Sequence, residues 1–279
     1  MTNRISLPRI LITNDDGYES EGLKVLAEIA SSFTQELWVI APDEEKSGMS
    51  QSVTLRKPVH IRKRKDRFWT VKGTPSDCVI LALDYIMKET PPSLILSGVN
   101  AGLNTGDIAN ISGTVGAAMT ALTFNVPAIA ISQDVSFERG VRWDTTRAML
   151  PHLLHYLLSE GWRKESCISV NIPNIPAQDI KGMRWTRQAQ KNLRSWRAYR
   201  RLTPLRGEYF WIGAELGEPA GDQASDVVAL ERGEIALCAL GRDHSILLER
   251  PFVSLASKDG GSVKPSSVNP LSPGPDDPF

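Results

Sequence analysis

The stretch RILITNDDGYESEGL, residues 9 to 23, decides the fold. Its first half, Ile10, Leu11 and Ile12, is a short apolar run of the kind that forms a strand buried on both faces of a parallel sheet. Its second half leads into GLKVLAEIASS, where Leu23, Leu26, Ala27 and Ala30 recur at helical spacing. Between them lies a polar turn, Asn14, Asp15, Asp16 and Gly17. Strand, polar turn and helix open a doubly wound α/β sheet, in which ligands collect at the carboxyl ends of the strands. Two adjacent carboxylates at such a place repel each other, so a compensating charge is required.

Working outward, ELWVIAP is the next strand, ended by Pro42. Strand-like pieces at 53–55, 59–61 and 68–71 predict an inserted β-hairpin. DCVILALDYIMKE reads as a helix, SLILSG as a strand, TVGAAMTALTF as a helix and PAIAIS as a strand. Residues 142–160 carry a helical pattern, and CISVNIP is a further strand. The alternation predicts a Rossmann-like, doubly wound, mostly parallel sheet. After about residue 180, KGMRWTR, EYFWIGA and DVVALERGEIALCAL read as strands without crossover helices, a β-rich extension suited to oligomerisation. The expected layout is one α/β domain over 1–257, with a core at about 9–180 and the extension at about 181–257. The Gly-, Pro- and Ser-rich stretch 258–279 is expected to be a disordered tail.

Composition narrows the function. With 279 residues and 41% hydrophobic content, the chain can bury a sizeable core. Thirty-two basic and 32 acidic residues balance to zero net charge, which argues against a duplex nucleic acid partner. Cys78, Cys167 and Cys238 are far apart and form no CxxC, so they read as buried thiols in a reducing compartment. No apolar run approaches the roughly 20 residues of a membrane span, and no apolar leader precedes the first strand. A cytoplasmic protein without membrane contact is expected.

The strand ends carry the chemistry. The second strand leads to APDEEKSGMSQS, with Ser47 and Gly48, and a later one ends in SGVNAGLNTGD, with Asn100, Asn104 and Asp107. The next helix opens with SGTVGAA, residues 112–118. Two carboxylates, Asp15 and Asp16, with the Ser47 hydroxyl and the Asn100 carbonyl suit a hard divalent cation, Mg²⁺ or Mn²⁺, one per subunit. An Asx turn with Asp16 as a helix cap is the competing reading of the pair alone. Ser112 or Thr114 can cap a helix, and Gly113 permits close backbone approach, which together make an anion site suited to phosphate. Asn14 and Gly48, in the same loops, join the substrate-facing set. There is no GxxxxGK[ST] and no GxGxxG after the first strand, so neither a P-loop nor a dinucleotide fingerprint is present. A metal-bound water attacking a phosphomonoester, with Asp15 or Asp16 orienting the water or accepting its proton, is the simplest chemistry left.

Five segments in order, ILITNDDGYESEGL, VIAPDEEKSGMSQSVTL, VKGTPSDCV, LILSGVNAGLNTGD and ISGTVGAAM, resemble the SurE family of stationary-phase survival proteins. That resemblance implies a divalent-metal-dependent phosphatase of nucleoside 5′-monophosphates, extending to 3′-monophosphates and short polyphosphate. It implies Asp15, Asp16, Ser47 and Asn100 as metal ligands. Asn104, Ser112, Gly113 and Thr114 would border the phosphate, and GTPSDC would serve as site architecture. It also implies a C-terminal segment exchanged within a homodimer or homotetramer. Ile111 stands where the family usually has an aromatic residue, and Ala239 and Leu240 where it usually has Thr-Pro-Leu. The alternative function is a non-catalytic nucleotide- or metabolite-binding protein that keeps the pocket.

Other features carry blander readings. RKPVHIRKRKDRFW, residues 56–69, is a basic run that reads first as a solvated hairpin face. Trp185, Trp196 and Tyr199 lie among arginines after the core and read as an oligomer interface before a base-stacking platform. His152 and His155, spaced i, i+3, read as helix-surface residues.

Overall fold

In the computed structural model, residues 5–136, 138–190, 193–204, 206–217 and 222–243 are described. The first strand, β1 (Ile10–Thr13), is followed by α1 (Glu21–Ala30) and β2 (Leu37–Pro42). A hairpin of β3 (His60–Lys65) and β4 (Phe68–Lys72) leads to α2 (Pro75–Leu81), which widens into a π-type segment at Ala82–Ile86. Then come β5 (Leu94–Ala101), a 3₁₀ turn (Gly106–Asn110), α3 (Gly113–Thr123) and β6 (Ala128–Gln133). Two-residue strands β7 (Val135–Ser136) and β8 (Gly140–Val141) precede α4 (Trp143–Glu160) and β9 (Ser166–Ile172). The chain continues through β10 (Met183–Thr186), β11 (Leu193–Leu202), β12 (Glu208–Leu216), α5 (Asp226–Glu231) and β13 (Ile235–Gly241).

Nine strands form one sheet in the order β10-β13-β9-β6-β5-β1-β2-β4-β3. From β9 to β4 every neighbouring pair is parallel; β3–β4 and β9–β13 are antiparallel. The chain leaves β1 toward β2 on one side and later builds β5, β6 and β9 on the other. The point where strand order reverses is therefore between β1 and β5. Alternation along β1 explains the two cores. Ile10 and Ile12 pack with Leu23 and Leu26 of α1 and with Leu150 and Leu154 of α4 on one face. Leu11 packs with Val79 of α2 and Ala117 and Leu122 of α3 on the other. The small residues of α3 allow it to be buried almost all round.

Two local expectations are corrected. Residues 53–55 are not a strand: Val53 and Leu55 are exposed, and the Thr54 amide donates to Asp77 Oδ1 at 2.9 Å instead of to a neighbouring strand. DVVALERGEIALCAL is a helix followed by a strand. Ser225 caps the helix, its hydroxyl oxygen accepting from the Val228 amide, and Gly233, at φ 76°, turns the chain into β13. The extension thus has a crossover helix after all, α5 between the parallel strands β10 and β13.

Among the described residues, the hairpin β11–β12 pairs only with itself. It exposes Trp196, Phe210, Trp211 and Ile212. No helix among the described residues is long and apolar enough to cross a membrane. All three cysteines are buried free thiols. The expected tail, and the end of the expected extension beyond residue 243, lie outside the described residues.

Candidate functional site

At the β1/β5 reversal, four loops meet. Asn14 braces the first: its Nδ2 donates to the Gly17 carbonyl and to Ser20 Oγ, both at 2.8 Å. Its buried Oδ1 has no hydrogen-bond partner. Ser20 in turn caps α1. The Asx-turn reading of this loop is therefore carried by Asn14 and Ser20, which leaves both aspartates available.

Asp15 is 3% exposed. Its Oδ1 accepts from the Thr114 hydroxyl at the start of α3, and the amides of Gly113 and Thr114 also favour its charged form. Burial outweighs these and pushes its pKa above the ordinary carboxylate value. A Cβ on Gly113 would fall 2.8 Å from Asp15 Cβ and 2.9 Å from its Oδ2, so only glycine lets α3 approach this closely. The helix N-terminus read as a phosphate cradle therefore faces an anion already in the protein. The next amide, of Val115, donates to the Ser112 cap at 3.1 Å. Gly113 and Thr114 border the crevice by holding Asp15, and Ser112 caps the helix that carries them.

Asp16 is half-buried. Its Oδ2 accepts from the Ala101 amide at 3.3 Å, next to Asn100. Its pKa is raised to about 6, first by burial, then by the charge of Asp15, then by Glu45. Neither aspartate has an ion-pair partner among the described residues. Asn100 turns its Nδ2 to the Gly102 carbonyl at 2.8 Å, which leaves its Oδ1 as the uncommitted end of the amide.

The Ser47 loop is pinned at three points. The Lys46 amide donates to the Asp15 carbonyl at 2.7 Å, and the Ser50 amide to the Ile111 carbonyl at 2.9 Å. The Ser50 carbonyl lies against α3, where a Cβ on Gly116 would meet it at 2.0 Å. Ser47 is exposed and donates to Glu45 Oε1 at 2.9 Å. Gly48 sits at the open loop tip with φ 75°. GTPSDC is architectural, as expected: Thr74 and Asp77 form a capping box, and Asp77 also accepts from the Thr54 hydroxyl at 2.6 Å. Asn104 is also buried. Its Nδ2 donates to Ser132 Oγ at 2.8 Å and its amide to Asn171 Oδ1 at 2.8 Å, tying the loop to β6 and β9.

Two functional supports were not legible in the motifs. Buried Asp226 accepts from the amides of Gly106, Ala189 and Val227, each at 2.9 Å. Gln188 donates to the Gly106 carbonyl at 2.7 Å and to Asn110 Oδ1 at 3.1 Å. The C-terminal extension thereby holds the 3₁₀ turn that precedes Ser112. The Ser225-Asp226 pair before VVALE, a helix-start signal, is the only sequence trace of this role.

The donor set fits a hard cation. Asp15, Asp16, the Ser47 hydroxyl and the free Asn100 Oδ1 are all oxygen ligands, and the two raised pKa values mark charge that a cation would relieve. No cluster of three or more His, Cys, Asp or Glu able to hold a metal exists among the described residues, so neutral oxygens would have to complete such a site. Two cavities, of about 610 Å³ beside Lys24 and Phe68 and about 520 Å³ beside Pro127 and Trp162, lie elsewhere and contain none of these residues.

Residues 10–195 match the family described as Survival protein SurE. A 5′-nucleotidase SurE 1 from Burkholderia lata is 40% identical over 249 residues, spanning 88% of this chain and 96% of that protein. A 5′-nucleotidase SurE from Phenylobacterium zucineum is 39% identical over 256 residues, spanning 91% of this chain and 98% of that protein. The crystal structure of the SurE protein from Aquifex aeolicus matches with a TM-score of 0.73 at 33% identity, covering 85% of this chain and 95% of that chain.

Proposed function

The chain belongs to the Survival protein SurE family, and on that basis, with the β1/β5 crevice, we propose that it is a 5′-nucleotidase that hydrolyses nucleoside 5′-monophosphates. The observation that carries this reading is the adjacent carboxylate pair, without a Lys or Arg ion-pair partner among the described residues, facing neutral oxygen donors at the strand-order reversal. Asp15, Asp16, Ser47 and Asn100 would hold one Mg²⁺ or Mn²⁺ per subunit. When bound, that ion supplies charge neutralisation, polarises a phosphoryl oxygen and activates water.

The protein groups have separate tasks. Asp15 is fixed by Thr114 and the start of α3, so it is an orienting ligand with little freedom. Asp16 is only half-buried and is the carboxylate able to accept a proton from attacking water. Asn14 and the Thr74–Asp77 box keep the loops in register. Gly48 leaves the loop tip open for substrate. The exposed apolar side chains of β11–β12 support a homodimer or homotetramer, because a two-stranded hairpin is marginal alone. Three buried free thiols support a cytoplasmic setting.

The test is phosphate release from 5′- and 3′-nucleoside monophosphates with Mn²⁺, Mg²⁺ or EDTA, beside Asp15→Asn. Release that needs metal and disappears in the variant is expected. Tight nucleotide binding without release in any lane, from folded protein, would instead establish a non-catalytic binding protein.

A further inference from the structure

The chain is neutral overall, but its charge is not evenly spread. Between residues 56 and 72 there are eight Lys and Arg and one carboxylate, Asp66, a net +7 that the rest of the molecule balances. Among the eight, only Arg67 is in an ion pair with another described residue, Asp66 at 3.7 Å. These residues occupy the β3–β4 hairpin and the loop before it, and β3 is the outer edge of the nine-stranded sheet. Edge strands use an isolated lysine to block further pairing, but that device does not need seven cations outside ion pairs.

Two further observations give the patch direction. Its upper end adjoins the crevice: Lys72 pairs with His60 and is close enough to Glu44, in the Ser47 loop, to help hold that carboxyl below its usual range, after Lys46. Its side carries rings. Arg64 lies 4.7 Å over Tyr18, two residues beyond Asp16, and Lys65 lies 5.6 Å from Phe68. Tyr18 and Phe68 meet edge to face at 6.2 Å. At the lower end, Lys65, Arg67 and Phe68 open onto the cavity of about 610 Å³ shared with Lys24.

We propose that this cationic edge hairpin is a docking track for single-stranded oligonucleotides whose terminal phosphate enters the β1/β5 crevice. Cations two residues apart on an extended strand repeat at about 7 Å, the register shift between Lys63 and Lys65 adding one irregular step along β3. That repeat suits the phosphate spacing of an extended nucleic acid strand and not the much shorter repeat of inorganic polyphosphate. The adjoining rings and cavity offer surface for bases, which polyphosphate lacks. The substrate class rests on the nucleotidase reading; the docking surface does not. In the reaction, water oxygen forms a new bond to phosphorus, the ester bond to the terminal sugar breaks, and the sugar hydroxyl leaves with a proton.

The experiment uses fluorescein-labelled dT12 without a terminal phosphate, followed by anisotropy over a salt series. It compares the wild type with Arg62→Gln/Lys63→Gln/Lys65→Gln. Binding should weaken at least tenfold in the variant, and the log–log salt slope should flatten by about 2, from about 0.7 per lost phosphate contact. AMP hydrolysis should be unchanged, which also shows that the variant is folded. Phosphate release from 5′- or 3′-phosphorylated dT12 should show a raised KM with kcat kept. Equal dT12 affinity in wild type and variant overturns the track. So does tighter binding, at equal charge, of polyphosphate or of phosphatidylserine vesicles. Binding of dT12 without release from either phosphorylated oligomer overturns the substrate assignment. Loss of AMP hydrolysis in the wild type, with dT12 binding intact, overturns the nucleotidase reading and leaves the track standing.

Discussion

Asp15 at the β1/β5 crevice and Asp226 at the joint of the C-terminal extension are both buried aspartates beside a helix start, yet their surroundings differ in kind. Asp226 accepts three backbone amides at 2.9 Å. Burial raises its pKa, and those amides, from three chain segments, oppose the rise. Asp15 also has donors, but Asp16 beside it adds a second carboxylate whose pKa reaches about 6. A buried acid completed by amide donors has what it needs from the chain. A carboxylate pair without a cation is complete only with something the chain does not supply.

The sharpest way to break this contrast is at the crevice. Asp15→Asn or Asp16→Asn should lower metal-dependent phosphate release by about a thousandfold or more, roughly 4 kcal/mol of barrier. The same variants, free of divalent cation, should melt at or above the wild-type temperature, because a repulsion has been removed. Full activity in either variant removes the ligand assignment. At the joint the opposite is expected. Asp226→Ala orphans three amides, two of them buried, and should destabilise the fold by about 3 kcal/mol, read by urea denaturation. Asp226→Asn keeps one acceptor oxygen and should cost less than half of that. An Asp226→Ala protein as stable as the wild type would put the two acids in the same class.

The pH dependence sharpens the contrast further. The Asp16 pKa is raised in the folded state from the ordinary 3.8 to about 6, so between those values the folded protein binds more protons than the unfolded chain. In EDTA, the contribution of Asp16 to stability is full below about pH 4 and is lost as pH rises through about 6. Mn²⁺ should reverse that loss at pH 7, and a thermal melt across pH 4–7 with and without Mn²⁺ checks it. The smallest effect is expected from Gln188→Ala. It removes two hydrogen bonds to the turn before Ser112, costs about 1 kcal/mol, and should slow turnover only a few-fold.

Much of the fold was legible because its signals are local. The apolar run of β1, the helical spacing of α1 and the glycine-rich strand ends each announce themselves within a dozen residues. The extension was less legible. VVALE and GEIALCAL are both short apolar runs, and periodicity alone does not separate a buried helix turn from a strand. Ser225 and Gly233 decide between them through a cap and a turn, and the apolar pattern overrode those signals in a reading of a single strand. The hairpin read as a solvated face is indeed exposed, but its position at the edge of the sheet belongs to the sheet order.

The sequence by itself determined the strand-turn-helix opening, the oxygen-rich loops and the absence of nucleotide fingerprints, because each depends on neighbours along the chain. Only the tertiary structure decided that the start of α3 holds Asp15. It alone placed Asn104 in a buried network with β6 and β9, and tied the crevice to Asp226 across 120 residues. The physical reason is that a hydrogen-bond donor is committed by whichever acceptor packing brings to it. For residues far apart in the chain, that choice is made by sheet order and helix docking.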